Sequence, residues 1–235
     1  MHLSSTPTAG ICVSIASEKT ETALDIAKQA EEQADIIEIR LDALEQPAID
    51  PFIDGLSKPL LFTNRPDWEG GNYKGEEAER VSFLQEAILA GTAFVDIELK
   101  TSHSLKQILF KAIDSTKTKL IISWHDFSGT PSSEKLSEIL HQQRSSGAHV
   151  GKIVTMAEDY QEVLRVLNLQ SEAAEHDFPL IAFCMGKAGM MSRLATLKLG
   201  GFMTYAAPDT GNAAAPGQLP VSFIRQTLTR LTNGN

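Results

Sequence analysis

The stretch DIIEIRLD, residues 35–42, sets Ile37, Ile39 and Leu41 on one side of an extended chain and Glu38, Arg40 and Asp42 on the other, because side chains alternate with a period of two along a strand. An antiparallel strand with one wet face gives this pattern. So does a strand buried on both sides, and there the charges need partners or a task. Two further stretches repeat the alternation. In FVDIELK, residues 94–100, Val95, Ile97 and Leu99 oppose Asp96, Glu98 and Lys100, and in LIISWHD, residues 120–126, Leu120, Ile122 and Trp124 oppose Ser123 and His125.

Around these stretches, strand-like and helix-like runs take turns. Strands are expected over 11–15, 36–41, 60–64, 94–99, 119–125, 150–156, 180–185 and 202–206. Apolar residues at helical spacing predict helices in TALDIAKQAEEQ (22–33), EEAERVSFLQEAILAG (76–91), SLKQILFKAIDST (104–116), SSEKLSEILHQQRSSG (132–147), YQEVLRVLNLQSEA (160–173) and VSFIRQTLTRL (221–231), with a short one in DPFIDGL (50–56). Eight strand-helix units close into a (β/α)₈ TIM barrel, here a single domain over 1–235 with flexible termini at 1–9 and 232–235. The alternative is an open doubly wound sheet. Against it, no G-x-G-x-x-G follows the first strand and no G-x-x-x-x-G-K-[ST] loop occurs. In a barrel, the glycine- and proline-rich segments PDWEGGNYKG (66–75) and APDTGNAAAPGQLP (207–220) fall at the C-terminal rim, where active sites sit.

The bulk properties narrow the function. The chain has 235 residues, 42% of them hydrophobic and 22% charged, an ordinary composition for one sizeable core. A net charge of −9 argues against a nucleic-acid or anionic-membrane surface, since both partners demand a clustered positive field. The two cysteines, Cys12 and Cys184, lie in apolar strand-like runs and read as reduced core residues. No leader-like segment and no run of 18 apolar residues occurs, so a cytoplasmic protein is expected.

Barrel geometry answers the opening question in one way: the apolar side of each strand meets helices, so Glu38 and Arg40 point into the barrel. Three such strands make a polar interior, suited to a small, hydroxylated, anionic substrate; mutually satisfied ion pairs or a wet antiparallel face are the other readings. Lys152, in VGKIVTM (150–156), is an ammonium among Val150, Ile153 and Val154. Such a lysine is either an edge gatekeeper, half of an ion pair, or a chemical group. His125 closes the neighbouring strand, and strands ~4.8 Å apart let a lysine on one and a histidine on the next bracket a single small molecule. A histidine at a strand end also serves as a structural hydrogen-bonder. Metal ligation has no support, because His125, His141, His149 and His176 show no H-E-x-x-H spacing and no cysteine pair joins them. No G-x-S-x-G elbow occurs either.

Six fragments in order, EIRLD (38–42), FTNRPDWEGG (62–71), SWHDF (123–127), GKIVTM (151–156), MSRLATLKLGG (191–201) and APGQ (215–218), resemble the type I 3-dehydroquinate dehydratases, enzymes of the shikimate pathway. The resemblance runs over essentially the whole chain. It implies a (β/α)₈ barrel, usually dimeric, that uses no metal or organic cofactor and converts 3-dehydroquinate to 3-dehydroshikimate with loss of water. It also implies that Lys152 forms the Schiff base, that His125 is the general acid/base and that Glu69 orients it. Arg193 matches the arginine that holds the substrate carboxylate. Glu38, Arg40, Arg65 and Gln218 match residues that bind ring hydroxyls or support the pocket, and Ser14 resembles a serine on its floor. Imine chemistry needs a neutral amine, so a lysine of ordinary pKa ~10.4 requires desolvation or nearby cations, for which Arg40, Arg65 and Arg193 are the candidates. Two departures stand out. Ala214 occupies the place of a serine frequent before A-P-G-Q, leaving backbone N–H groups and Gln218 to serve the substrate, and Trp68 is expected to pack on its loop or shield the site from water.

Overall fold

The structure, a computed structural model, describes residues 10–211, 213–215 and 217–233. Its strands are β1 (Gly10–Ile15), β2 (Ile36–Arg40), β3 (Leu60–Thr63), β4 (Phe94–Glu98), β5 (Lys119–Asp126), β6 (Val150–Met156), β7 (Leu180–Met185) and β8 (Met203–Ala206). All of them pair in parallel, in the order β7-β6-β5-β4-β3-β2-β1-β8. The two ends of this sheet meet: the Phe202 N–H, just before β8, donates to the Leu180 carbonyl of β7 at 2.8 Å, so the sheet is a nearly closed barrel.

The helices are α1 (Thr20–Ala30), α2 (Asp50–Gly55), α3 (Glu77–Leu89), α4 (His103–Ile113), α5 (Ser133–Ser145), α6 (Tyr160–Leu167), α7 (Leu169–Glu175), α8 (Gly186–Gly189), α9 (Ser192–Lys198) and α10 (Val221–Asn233). Local chemistry fixes several starts. Ser102, Ser132 and Asp159 each accept a bond from a backbone N–H of the first turn of α4, α5 and α6. Three expectations need correction. The run at 160–173 is two helices, because at Asn168 the ladder tightens to an i→i+3 bond, Ser171 N–H to Asn168 carbonyl at 3.1 Å. Helices α8 and α9 follow β7, where the eight-unit repeat calls for a helix but no helical stretch was assigned. Helix α10 continues two residues past Leu231, through Thr232 and Asn233. Of the flexible termini expected at 1–9 and 232–235, residues 1–9 and 234–235 lie outside the described residues, as do Asn212 and Pro216.

Strand alternation sorts the side chains as barrel closure demands. The outward set, including Val13, Ile37, Ile39, Phe62, Val95, Ile97, Leu120 and Ile122, packs against Ala23, Ala27, Val81, Leu84, Ile88 and Leu109 of the helices in one apolar shell. The inward set is divided by height. Cys12, Ile36, Leu61, Phe94, Ile121, Val150, Ile181 and Met203 fill the N-terminal half with apolar volume. Ser14, Glu38, Thr63, Asp96, Glu98, Ser123 and Lys152 occupy the C-terminal half, and all are buried. The expected polar interior is therefore confined to the end where the strands point. Both cysteines are free and buried, and burial pushes their thiols up, that of Cys184 to about 11. No helix among the described residues is long and apolar enough to cross a membrane.

Candidate active site

The polar half opens into a cleft of about 600 Å³, counting its mouth, lined among others by Ser14, Glu38, Arg40, Arg65, Glu69, His125, Lys152, Arg193 and Gln218. All nine residues singled out in the sequence meet there. Register explains the central pair: Ser123 of β5 pairs with Lys152 of β6 and His125 with Val154, so the imidazole sits one inward position above the ammonium on the adjacent strand. Lys152 is 5% exposed. Its Nζ lies 3.0 Å from Asp96 Oδ2 and 4.2 Å from the centroid of the Tyr205 ring.

Asp96 belongs to a run of alternating charges that sequence reading left unconnected. Its Oδ1 accepts from Ser123 Oγ at 2.6 Å and lies 2.9 Å from the Arg65 guanidinium. Arg65 also reaches Glu98 at 2.5 Å, and the other oxygen of Glu98 lies 2.6 Å from Arg80 of α3. Burial disfavours the ionised form of Asp96, yet Arg65 first and Lys152 second hold it well below the usual carboxylate range. Burial likewise pushes Glu98 up, against the pull of Arg65 and Arg80. Arg65 is therefore committed to carboxylates and to Ser123, and of its two expected roles it fills the supporting one.

Glu38 and Arg40 are also tied down. Glu38 accepts from Ser14 Oγ and, at 2.8 Å, from Thr63 Oγ1. Arg40 makes a two-pronged pair with Asp42, 2.8 Å from Nε and 2.6 Å from a terminal nitrogen. Burial would raise Asp42, but the pair with Arg40 and the N–H groups of Arg65 and Asn72 hold it below its ordinary range. Those two N–H bonds, each 3.0 Å, fasten the rim loop after β3 to the end of β2.

The same loop delivers Glu69. A 3₁₀ turn at Asp67–Glu69 ends at Gly70 with φ of +79°, and a side chain there would strike the Phe127 ring at 2.2 Å. Phe127 stacks on His125, with ring centroids 6.1 Å apart and planes at 17°. Glu69 Oε1 accepts the His125 backbone N–H at 3.0 Å and lies 3.0 Å from Nδ1. Burial, then the cations of Arg65 and Lys152, push His125 well below 6.5, so the imidazole is neutral. Burial raises Glu69 to about 8, against the pull of Arg65. Both shifts favour the uncharged form of each partner.

Arg193 is the second residue of α9, 1% exposed, with its guanidinium carbon 4.6 Å from the centre of the Phe183 ring. Burial lowers it to about 10, still a cation at neutral pH. Of the two alternatives for Trp68, shielding of the site gains no support: it is 44% exposed and does not line the cleft, because the 3₁₀ turn that buries Glu69 sends its neighbour outward. The N–H groups of Ala214 and Ala215 are already taken, donating to Gln218 Oε1 at 2.9 and 3.3 Å, so the glutamine carbonyl braces its own loop. The sequence reading also missed Tyr205, Phe127 and Arg80. Arg80 had a signal: it falls on the helical stripe of Leu84, Ala87 and Ile88, where an apolar residue is the rule. Among the described residues no group of three metal-ligating side chains converges.

Parallel barrels carry their chemistry at the C-terminal ends of the strands, and the buried ionisable groups of this molecule gather at that end: it is a (β/α)₈-barrel enzyme. The profile of the type I 3-dehydroquinase family matches residues 11–235, and the chain belongs to that family. It is 42% identical over 220 residues to a 3-dehydroquinate dehydratase of Desulfotalea psychrophila, a match spanning 94% of this chain and 97% of the relative. It is 37% identical over 202 residues to a chloroplastic bifunctional 3-dehydroquinate dehydratase/shikimate dehydrogenase of Arabidopsis thaliana, a match covering 83% of this chain and 32% of that one. The crystal structure of a type I 3-dehydroquinate dehydratase of Clostridium difficile, with covalently modified comenic acid, superposes with a TM-score of 0.85 at 27% identity, covering 96% of this chain and 93% of the other.

Proposed function

We propose that this chain is a hydro-lyase that eliminates water from 3-dehydroquinate to give 3-dehydroshikimate through an imine on Lys152. The observation that carries this reading is the buried Lys152 side chain sharing one cleft with the neutral imidazole of His125 on the adjacent strand. A proton beside a ketone is too weakly acidic to leave at neutral pH, and a cationic iminium supplies the electron sink. The amine adds to the ketone carbon and water leaves. His125 Nε2 then takes the adjacent proton and returns one to the departing hydroxyl, so that a second water leaves and a conjugated iminium remains for hydrolysis. Glu69 holds Nδ1 and with it the direction of the ring.

Arg193 suits the substrate carboxylate, since a guanidinium presents paired donors in a plane and this one lines the cleft, stacked over Phe183. Glu38 and Arg40 face the remaining room and bind ring hydroxyls, and Ser14 lines the floor. The covalently modified comenic acid of the Clostridium difficile relative accords with a nucleophilic residue. The family also carries the expectation of a cytoplasmic homodimer; sedimentation is the test of the dimer, with twice the monomer mass expected. Incubation with 3-dehydroquinate, borohydride reduction and peptide mapping test the chemistry. An adduct on Lys152 with absorbance of the conjugated product supports the dehydratase. A retro-aldol product points to an aldolase instead, and no adduct points to a binding module.

A further inference from the structure

Resting on that imine chemistry, we infer that Tyr205 and Asp96 form a two-sided cradle that keeps the Lys152 nitrogen cationic after the C=N bond forms, which makes both of them catalytic residues. The nitrogen that reacts is already held this way: a carboxylate oxygen at 3.0 Å on one side and an aromatic face at 4.2 Å on the other. Neither partner is free to drift. Asp96 is fixed by Ser123 and Arg65. Tyr205, 3% exposed on β8, reaches across the barrel interior and packs against Phe183 of β7, with ring centres 6.0 Å apart. Its hydroxyl is buried with no hydrogen-bond partner among the described residues, so the ring face is the part of the side chain in use.

The need for such a cradle follows from charge balance. Overall, ammonium and ketone become iminium and water: the proton that the nitrogen sheds before it attacks leaves with that water, so one positive charge rests on nitrogen before and after. Removal of the adjacent carbon proton by His125 neutralises the nitrogen as an enamine, and expulsion of the hydroxyl, protonated as it leaves, restores the charge. One side path drains the cycle: the iminium can lose its own N–H proton to give a neutral imine, which withdraws electrons too weakly to release the carbon proton. A carboxylate and a π face both favour the cation over that neutral form. The ring is the component that can be weakened without changing shape.

The test replaces Tyr205 by Phe and then by Phe carrying one, two and three ring fluorines, which drain the face of negative charge while nearly keeping its size. Each protein is incubated with 3-dehydroquinate and sodium cyanoborohydride, which reduces iminium but not neutral imine, and the adduct at Lys152 is quantified against pH. The midpoint of the alkaline loss of adduct is expected to fall with each fluorine, by roughly 0.4–1.5 pH units over the series, with the plateau at lower pH unchanged. A Tyr205→Leu variant, which removes the face outright, is expected to sit at or beyond the trifluorinated end. A midpoint that stays constant across folded variants, checked by their melting curves, overturns the cradle and leaves the imine standing. Absence of any Lys152 adduct in the unsubstituted enzyme overturns the imine and the cradle together.

Discussion

At the scale of single residues, His125 is governed by Glu69, whose one oxygen meets both its backbone N–H and its Nδ1. Glu69→Gln keeps an acceptor in place and is expected to lower kcat by about tenfold, whereas Glu69→Ala frees the ring and is expected to lower it roughly 10²–10³-fold. His125→Ala is expected to lower turnover roughly 10³–10⁴-fold while borohydride still traps some adduct on Lys152; unaltered turnover in steady-state kinetics refutes the acid/base assignment. Burial and the neighbouring cations of Arg65 and Lys152 disfavour imidazolium, so the acid limb of kcat/KM belongs below pH 6.5. A pH-rate profile with that limb at or above 6.5 contradicts the environment described here. The sequence made these residues visible because their types and order recur in a family. It did not reveal that Asp96 holds Lys152, since the contact joins positions 56 residues apart, nor that Tyr205 lies over the same nitrogen, since that contact crosses the barrel interior.

At the scale of elements, the charged side of β4 is held from two directions. Arg65, just past β3, pairs with Asp96 and Glu98, and Arg80 of α3 pairs with Glu98 and bonds to the Asn64 carbonyl at 2.8 Å and to Thr101 Oγ1 at 3.0 Å. One helix residue thus fastens the C-terminal ends of two strands whose side chains build the cleft. Arg80→Met removes a fully buried cation from among carboxylates and is expected to destabilise the fold by about 3–5 kcal/mol, measured by urea unfolding. A loss below about 1 kcal/mol would show the network to be ornamental. The strands themselves were readable to within one or two residues, because period-two alternation and a closed barrel impose the same order. The break at Asn168 and the helix carrying Arg193 were not, because a tightened ladder and a buried polar helix leave no apolar period.

At the scale of the molecule, the titrations of the site set how stability follows pH. The folded state refuses a proton at His125 that the unfolded chain accepts, so its contribution is present above about pH 6.5 and lost as the pH falls. Asp42 and Asp96, held ionised below the usual range, add a further loss below about pH 4. Glu69 acts oppositely. The unfolded chain releases this proton near ~4.5 and the folded one near about 8, so its contribution is present at low pH and lost as the pH rises between them. The Tm of Glu69→Gln relative to the parent is therefore expected to rise steadily between those two pH values, followed by differential scanning fluorimetry; a constant difference would refute the raised carboxyl.

The barrel is held all round by parallel ladders except where its two sheet ends meet at Phe202 and Leu180. Thermal breathing therefore has a preferred slit. Deuterium is expected to enter first along β7 and β8 and last at β3 to β5, with the earliest openings admitting water beside Tyr205 and Phe183.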